Sequence, residues 1–211
     1  MLFENVNKIL MIQKITIEGY KSIKEQTVEL FPINILIGGN GIGKSNFISA
    51  FTLIHNLYER NLQNYVLTKG GSDSLLYMGK KETDHLSFDL FFAERGKDAH
   101  NRFIVNMKEA QDSLFIERID TAYHNGVSWH KQLHDHTGQA FYVNSFLREF
   151  EVYHFHDTGD RSPMKGKCNM DDNVSLKNNG ANIAAFLYYL KEKHPKHFTR
   201  IEKAVASVSP F

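Results

Sequence analysis

Apolar and polar residues alternate through the first part of the chain. In "IQKITIEGY" (12–20), Ile15 and Ile17 sit between polar neighbours, which predicts a half-exposed strand. "TVELF" (27–31) repeats the pattern after a short turn region and predicts its antiparallel partner. "INILI" (33–37) is denser in apolar residues, as expected of a strand buried on both faces. From Ser45 the period lengthens. Phe47, Ala50, Phe51, Ile54, Leu57 and Tyr58 recur at helical spacing, and Ile48 and Leu53 add apolar surface off that stripe. The helix is therefore expected to be covered over much of its circumference.

Alternation returns in the middle of the chain, at Leu86, Phe88, Leu90 and Phe92, then at Phe103, Val105 and Met107, with "SLFIERI" as a third short strand. Polar turns separate them, so 84–120 reads as an antiparallel meander. Over 139–156 the pattern predicts a helix with Val143, Phe146, Leu147 and Phe150 on one face, followed by a strand, "EVYHFH". The polar stretch 157–181 has no period, and loops of that length are usually functional or mobile. Two helices are predicted over 182–208. The second has Pro195 at a suitable first position and a stripe of Phe198, Ile201, Val205 and Val208.

Composition narrows the class. The 211 residues are 42% hydrophobic and 23% charged, the range of globular domains. Lysine and arginine number 25 against 24 acids, so bulk charge gives no pointer to nucleic acid, although a local basic patch stays open. The single cysteine, Cys168, allows neither an internal disulfide nor a cysteine zinc site, which suits a reducing cytosol. No apolar run approaches the ~20 residues of a membrane helix, and no secretory leader is visible. A cytoplasmic protein with no membrane association is expected.

The decisive chemistry lies between the dense apolar run and the helix. Gly38, Gly39, Asn40, Gly41, Ile42, Gly43, Lys44 and Ser45 match G-x-x-x-x-G-K-[ST], the Walker A phosphate loop. Glycines let the backbone turn with amide N–H groups pointing inward, forming an anion nest. The following helix aims its positive end at the phosphates. Lys44 is expected to reach the β- and γ-phosphates of ATP, and the Ser45 hydroxyl to ligate Mg2+.

The segment "ITIEGYKSIKEQTVELFPINILIGGNGIGKSNFISAF" resembles the N-terminal head segment of RecF/SMC-like ATPases with ABC-type heads. The Asn40-Gly41 pair and the trailing Asn46 narrow the match beyond a generic phosphate loop. The stretch from "VYHFHDTGDRSPMK" to "IEKAV" is also similar to a bacterial subgroup of AAA-type ATPases of this kind. The resemblance implies an α/β fold: a P-loop core of ABC-head type, an antiparallel meander subdomain and C-terminal helices. It places Lys21 and Ser22 in a turn near the nucleotide, and His156 and Asp157 near Mg2+ and the attacking water. It implies a second ATPase head closing over the nucleotide, and DNA repair or anti-phage defence, with DNA as a partner.

Such heads also need a signature motif and a Walker B strand, and neither follows Gly180. Asp89, Glu117 and Asp157 are the substitutes available, and only Asp157 follows a hydrophobic strand pattern. The chain is accordingly expected to be the front of an ATPase truncated or encoded apart from its second half. A partner chain would then supply signature and Walker B, and the isolated chain would hydrolyse ATP poorly. Two alternatives stay open: a self-contained small P-loop NTPase or kinase using Asp157, and a non-catalytic nucleotide-sensing interaction fragment. Among the eleven histidines, His130, His134 and His136 with Asp135 could hold a metal if helical. His154 shares a strand face with His156 on this reading. Arg161, Lys165 and Lys167 make a small basic cluster.

Overall fold

A computed structural model describes residues 10–94, 100–124, 127–132, 143, 146–148, 150–153, 155 and 159–209. The chain divides into two compact units, Met1–Phe150 and Glu151–Phe211.

In the first unit, β1 (Leu10–Tyr20), β2 (Ile23–Glu29), β3 (His85–Glu94), β4 (His100–Ala110), β5 (Ser113–His124) and β6 (Trp129–Gln132) form one antiparallel sheet. Their order is β2-β1-β3-β4-β5-β6. The alternation explains the register: Ile17 lies opposite Phe88, and Phe88 opposite Val105, so all three face one side. Ile15, Leu86, Leu90, Phe92, Phe103 and Met107 join them in the core. Helix α1 (Lys44–Tyr58) adds Ala50, Leu53, Ile54 and Leu57 to that core, and the short α2 (Leu62–Thr68) adds Leu62, Tyr65 and Val66. Val143, Phe146 and Leu147 have helical backbone, with Val143 and Leu147 buried and Phe146 and Phe150 packed against the cluster.

The sheet approaches itself closely at Gly19. Its φ is +68°, and a Cβ there would lie 2.3 Å from the His85 carbonyl oxygen. Both the backbone conformation and the space demand glycine.

The result is an α/β fold on an antiparallel sheet, and the strand expected to lead into the phosphate loop is missing from it. No strand forms over 33–37, and Ile33, Ile35 and Ile37 are 83%, 78% and 87% exposed. A strand buried on both faces needs neighbours along both edges; among the described residues none pairs with this segment. The chain leaves β2 through a local turn, in which Phe31 N donates to Asn34 Oδ1 at 3.0 Å. Helix α1 is also covered less widely than expected: Leu53 is fully buried, but Ile48 is 40% exposed.

In the second unit, Glu151, Val152, Tyr153 and Phe155 form no strand, contrary to the expectation for "EVYHFH"; His154, His156 and Asp157 lie outside the described residues. Tyr153 and Phe155 are exposed, and their tilted rings lie 5.4 Å apart, so they share apolar surface with each other instead of entering a sheet. The described part of the polar loop is organised by the buried Asn182 amide. Its Oδ1 accepts from Lys177 N at 2.8 Å, and its Nδ2 donates to the carbonyls of Asp172 and Ser175 at 2.9 and 2.8 Å. Helices α3 (Ile183–Lys193) and α4 (Pro195–Val208) follow, the latter starting at Pro195.

Candidate phosphate-binding site

The glycine-rich turn runs straight into α1. Gly43 is the residue preceding the first helical turn, with φ 100° in the left-handed region, and a Cβ there would lie 3.1 Å from Ser22 Oγ. No side chain caps the helix and its first turn holds no acid. The leading N–H groups are therefore left for another acceptor, and the helix dipole concentrates positive charge among them. That is a site for an anion. Lys44 Nζ donates to the carbonyls of Gly38 and Gly39 at 2.7 and 2.6 Å, drawing the turn into a ring closed by its own lysine. Asn40, Gly41 and Ile42 form its exposed crown, and Ser45 exposes its hydroxyl in the first helical turn. Backbone N–H groups, an ammonium and a hydroxyl fit a phosphate chain and an oxygen-seeking cation such as Mg2+.

The turn between β1 and β2 packs against this helix. Lys21 takes φ 50° and its ammonium donates to Ser49 Oγ at 2.9 Å. Ser49 Oγ also lies 3.0 Å from the Tyr20 hydroxyl and donates to the Asn46 carbonyl at 2.9 Å. Asn46 Nδ2 in turn donates to Ser22 Oγ at 2.8 Å. Thus Lys21, Ser22 and Asn46 come together at the exit of the phosphate loop in one chain of bonds, Ser22 to Asn46, Asn46 to Ser49 and Ser49 to Lys21. Burial, with Lys69 nearby as a second cause, pulls the Lys21 pKa below the usual lysine value. Burial pushes the Tyr20 hydroxyl far above an ordinary tyrosine, so it stays a neutral donor. Sequence reasoning missed Tyr20 and Ser49. The available signal was the i, i+3 spacing of Asn46 and Ser49, which puts two polar side chains on one helix face.

Residues 11–208 match the AAA ATPase domain family. The chain belongs to that family. No curated protein matches it. Membership makes the AAA ATPase domain described here a nucleotide-binding ATPase module, and AAA ATPases as a class bind ATP with Mg2+.

The other acids weighed for this AAA ATPase domain lie elsewhere. Asp89 is held by Arg102, whose Nε donates to Oδ1 at 2.9 Å. It projects from β3 on the face opposite Phe88 and Leu90, away from the core that α1 covers. Glu117 is exposed where the β4–β5 register shifts. His156 and Asp157 are outside the described residues, as are His134, Asp135 and His136. His130 lies in strand β6 and stacks on Tyr123 at 5.0 Å, so it is not on the helix that the histidine metal site required. Among the described residues no three His, Cys, Asp or Glu side chains are placed to hold a metal. Lys165 lies 3.9 Å from Asp160, an exposed pair of little energetic weight. No described helix is long and apolar enough to cross a membrane.

Proposed function

We propose that this AAA ATPase domain is the ATP-gripping part of a RecF/SMC-like head. Mg·ATP is taken up at residues 38–46, with Lys44 on the β- and γ-phosphates and Ser45 on the cation. The observation carrying this reading is the uncapped α1 N-terminus beside Lys44. The exposed apolar run at 33–37 supports a second head, or a partner chain bringing signature and Walker B, as the completing element. DNA repair or anti-phage defence, with DNA as a partner, follows the same family resemblance. Equilibrium binding of Mg·ATP to the wild type and Lys44→Ala tests the grip. At least tenfold weaker binding is expected from loss of a charge-assisted contact; equal binding overturns the reading.

A second reading, a nucleotide-sensing module without turnover, is favoured by Asp89 being engaged by Arg102 and Glu117 being exposed on β5. Steady-state phosphate release separates the two: turnover that appears on adding a partner favours the head, and none under any condition favours the sensor. Robust Lys44-dependent turnover by the chain alone points instead to a self-contained NTPase.

A further inference from the structure

Ser49 stands one turn behind the phosphate loop and uses its whole hydrogen-bonding capacity. A hydroxyl has one proton to give and two lone pairs. The proton goes to the Asn46 carbonyl at 2.9 Å, and one lone pair takes the Lys21 ammonium at 2.9 Å. Ser49 therefore has only acceptor capacity left for Tyr20, and the Tyr20 hydroxyl must be the donor at 3.0 Å. Both partners belong to the end of β1 and its turn. The next residue of that turn, Ser22, accepts from Asn46 and stands against Gly43.

Positions 46 and 49 are almost one helical turn apart on the same face of α1. Two anchors so placed fix both the tilt and the rotation of the helix against the hairpin. The ring of Tyr20 is fully buried and the Lys21 ammonium lies 5.3 Å from its centre, so neither anchor swings freely. The unbonded N–H groups at the front of α1 point wherever this clamp aims them.

We propose that Ser49 is a positioning residue for nucleotide binding, acting through Tyr20 and Lys21 to set the direction in which the α1 N-terminus and Gly43 meet the phosphate chain. The proposal rests on the nucleotide reading above. Its test is the Mg·ATP dissociation constant and the melting temperature of the wild type, Ser49→Ala, Ser49→Cys, Ser49→Thr and the core variant Ile54→Val. Ser49→Ala and Ser49→Cys are expected to weaken binding about tenfold, and Ser49→Thr, which keeps the hydroxyl, to restore it to within about threefold. Ile54→Val loses stability without touching the clamp and is expected to bind as the wild type does. The cysteine variant carries the test if the alanine variant fails to fold. Wild-type affinity in both the alanine and cysteine variants overturns the proposal, as does equal weakening in Ile54→Val. Failure of the wild type itself to bind Mg·ATP overturns the nucleotide reading, and this inference with it.

Discussion

Asn46 Nδ2 and Ser22 Oγ lie 2.8 Å apart, joining helix α1 to a hairpin turn 24 residues earlier in the chain. Replacing Asn46 by Asp keeps an oxygen in that position, and the Ser22 hydroxyl can rotate to donate to it. The new carboxylate sits in the first turn of α1, where a negative charge favours the helix by about 0.3–1 kcal/mol. The same charge repels a phosphate chain. Asn46→Asp is therefore expected to melt at or above the wild-type temperature and to bind Mg·ATP at least tenfold more weakly. Calorimetric melting and equilibrium binding together check that opposite movement.

Ile35 and Leu53 are predicted to respond very differently to truncation. Leu53 is fully buried and Ile35 is 78% exposed. Leu53→Ala should cost about 2–5 kcal/mol through lost contacts and a cavity. Ile35→Ser should stay within about 0.5 kcal/mol of the wild type. Denaturant titration of both variants decides it, since a buried strand at 33–37 would make the second loss as large as the first.

Gly19→Ala should destabilise by more than about 2 kcal/mol, because the added methyl at a positive φ meets the His85 carbonyl oxygen at 2.3 Å, and that oxygen belongs to backbone that cannot swing aside. The midpoint of urea unfolding is the measurement. Gly39→Ala makes a useful contrast, since a Cβ there meets nothing within 4 Å.

Asp112 accepts a hydrogen bond from Lys80, which with the lysine's charge holds its pKa below the usual aspartate value. A carboxylate pKa depressed by folding adds stability above its unfolded value, and that contribution disappears as pH falls through the folded value. Lys80→Met should therefore raise the Asp112 pKa towards the ordinary range. Stability curves of the two proteins should differ at neutral pH and converge in acid below the normal aspartate range. Carboxyl NMR titration with unfolding at several pH values checks both parts.

Much of the sheet was legible because burial on one face writes a period of two. Phe88 sits between Ser87 and Asp89 for the same reason that it faces the core. The glycine spacing of the phosphate loop was legible because tight turning next to a helix end requires those residue types. The run at 33–37 misled because apolar density records a preference for burial, and the partner needed to satisfy it is not encoded in the segment itself. Strand β6 and helix α2 are too short to establish a period. Asn182 gave no signal because its partners include the backbone carbonyls of Asp172 and Ser175, which every residue possesses. Ser49 was hidden in a different way: its partners come from a hairpin far back in the chain, and only the fold brings them together.

The strand order has a kinetic consequence. Each pair in the sheet joins strands that are consecutive in the chain, except β1 with β3, whose connection carries β2, the phosphate loop, α1 and α2. Local hairpins form in about 1–10 μs, whereas long closures are slower because the entropy is lost before the contacts are gained. Docking of Ile17 against Phe88 is thus the expected slow step, and the P-loop acquires its final setting only when that seam has zipped. A newly made chain would pass through an interval with much of its sheet in place and its phosphate loop still unmoored. Ligand added early in refolding should then find few competent molecules, whatever its final affinity.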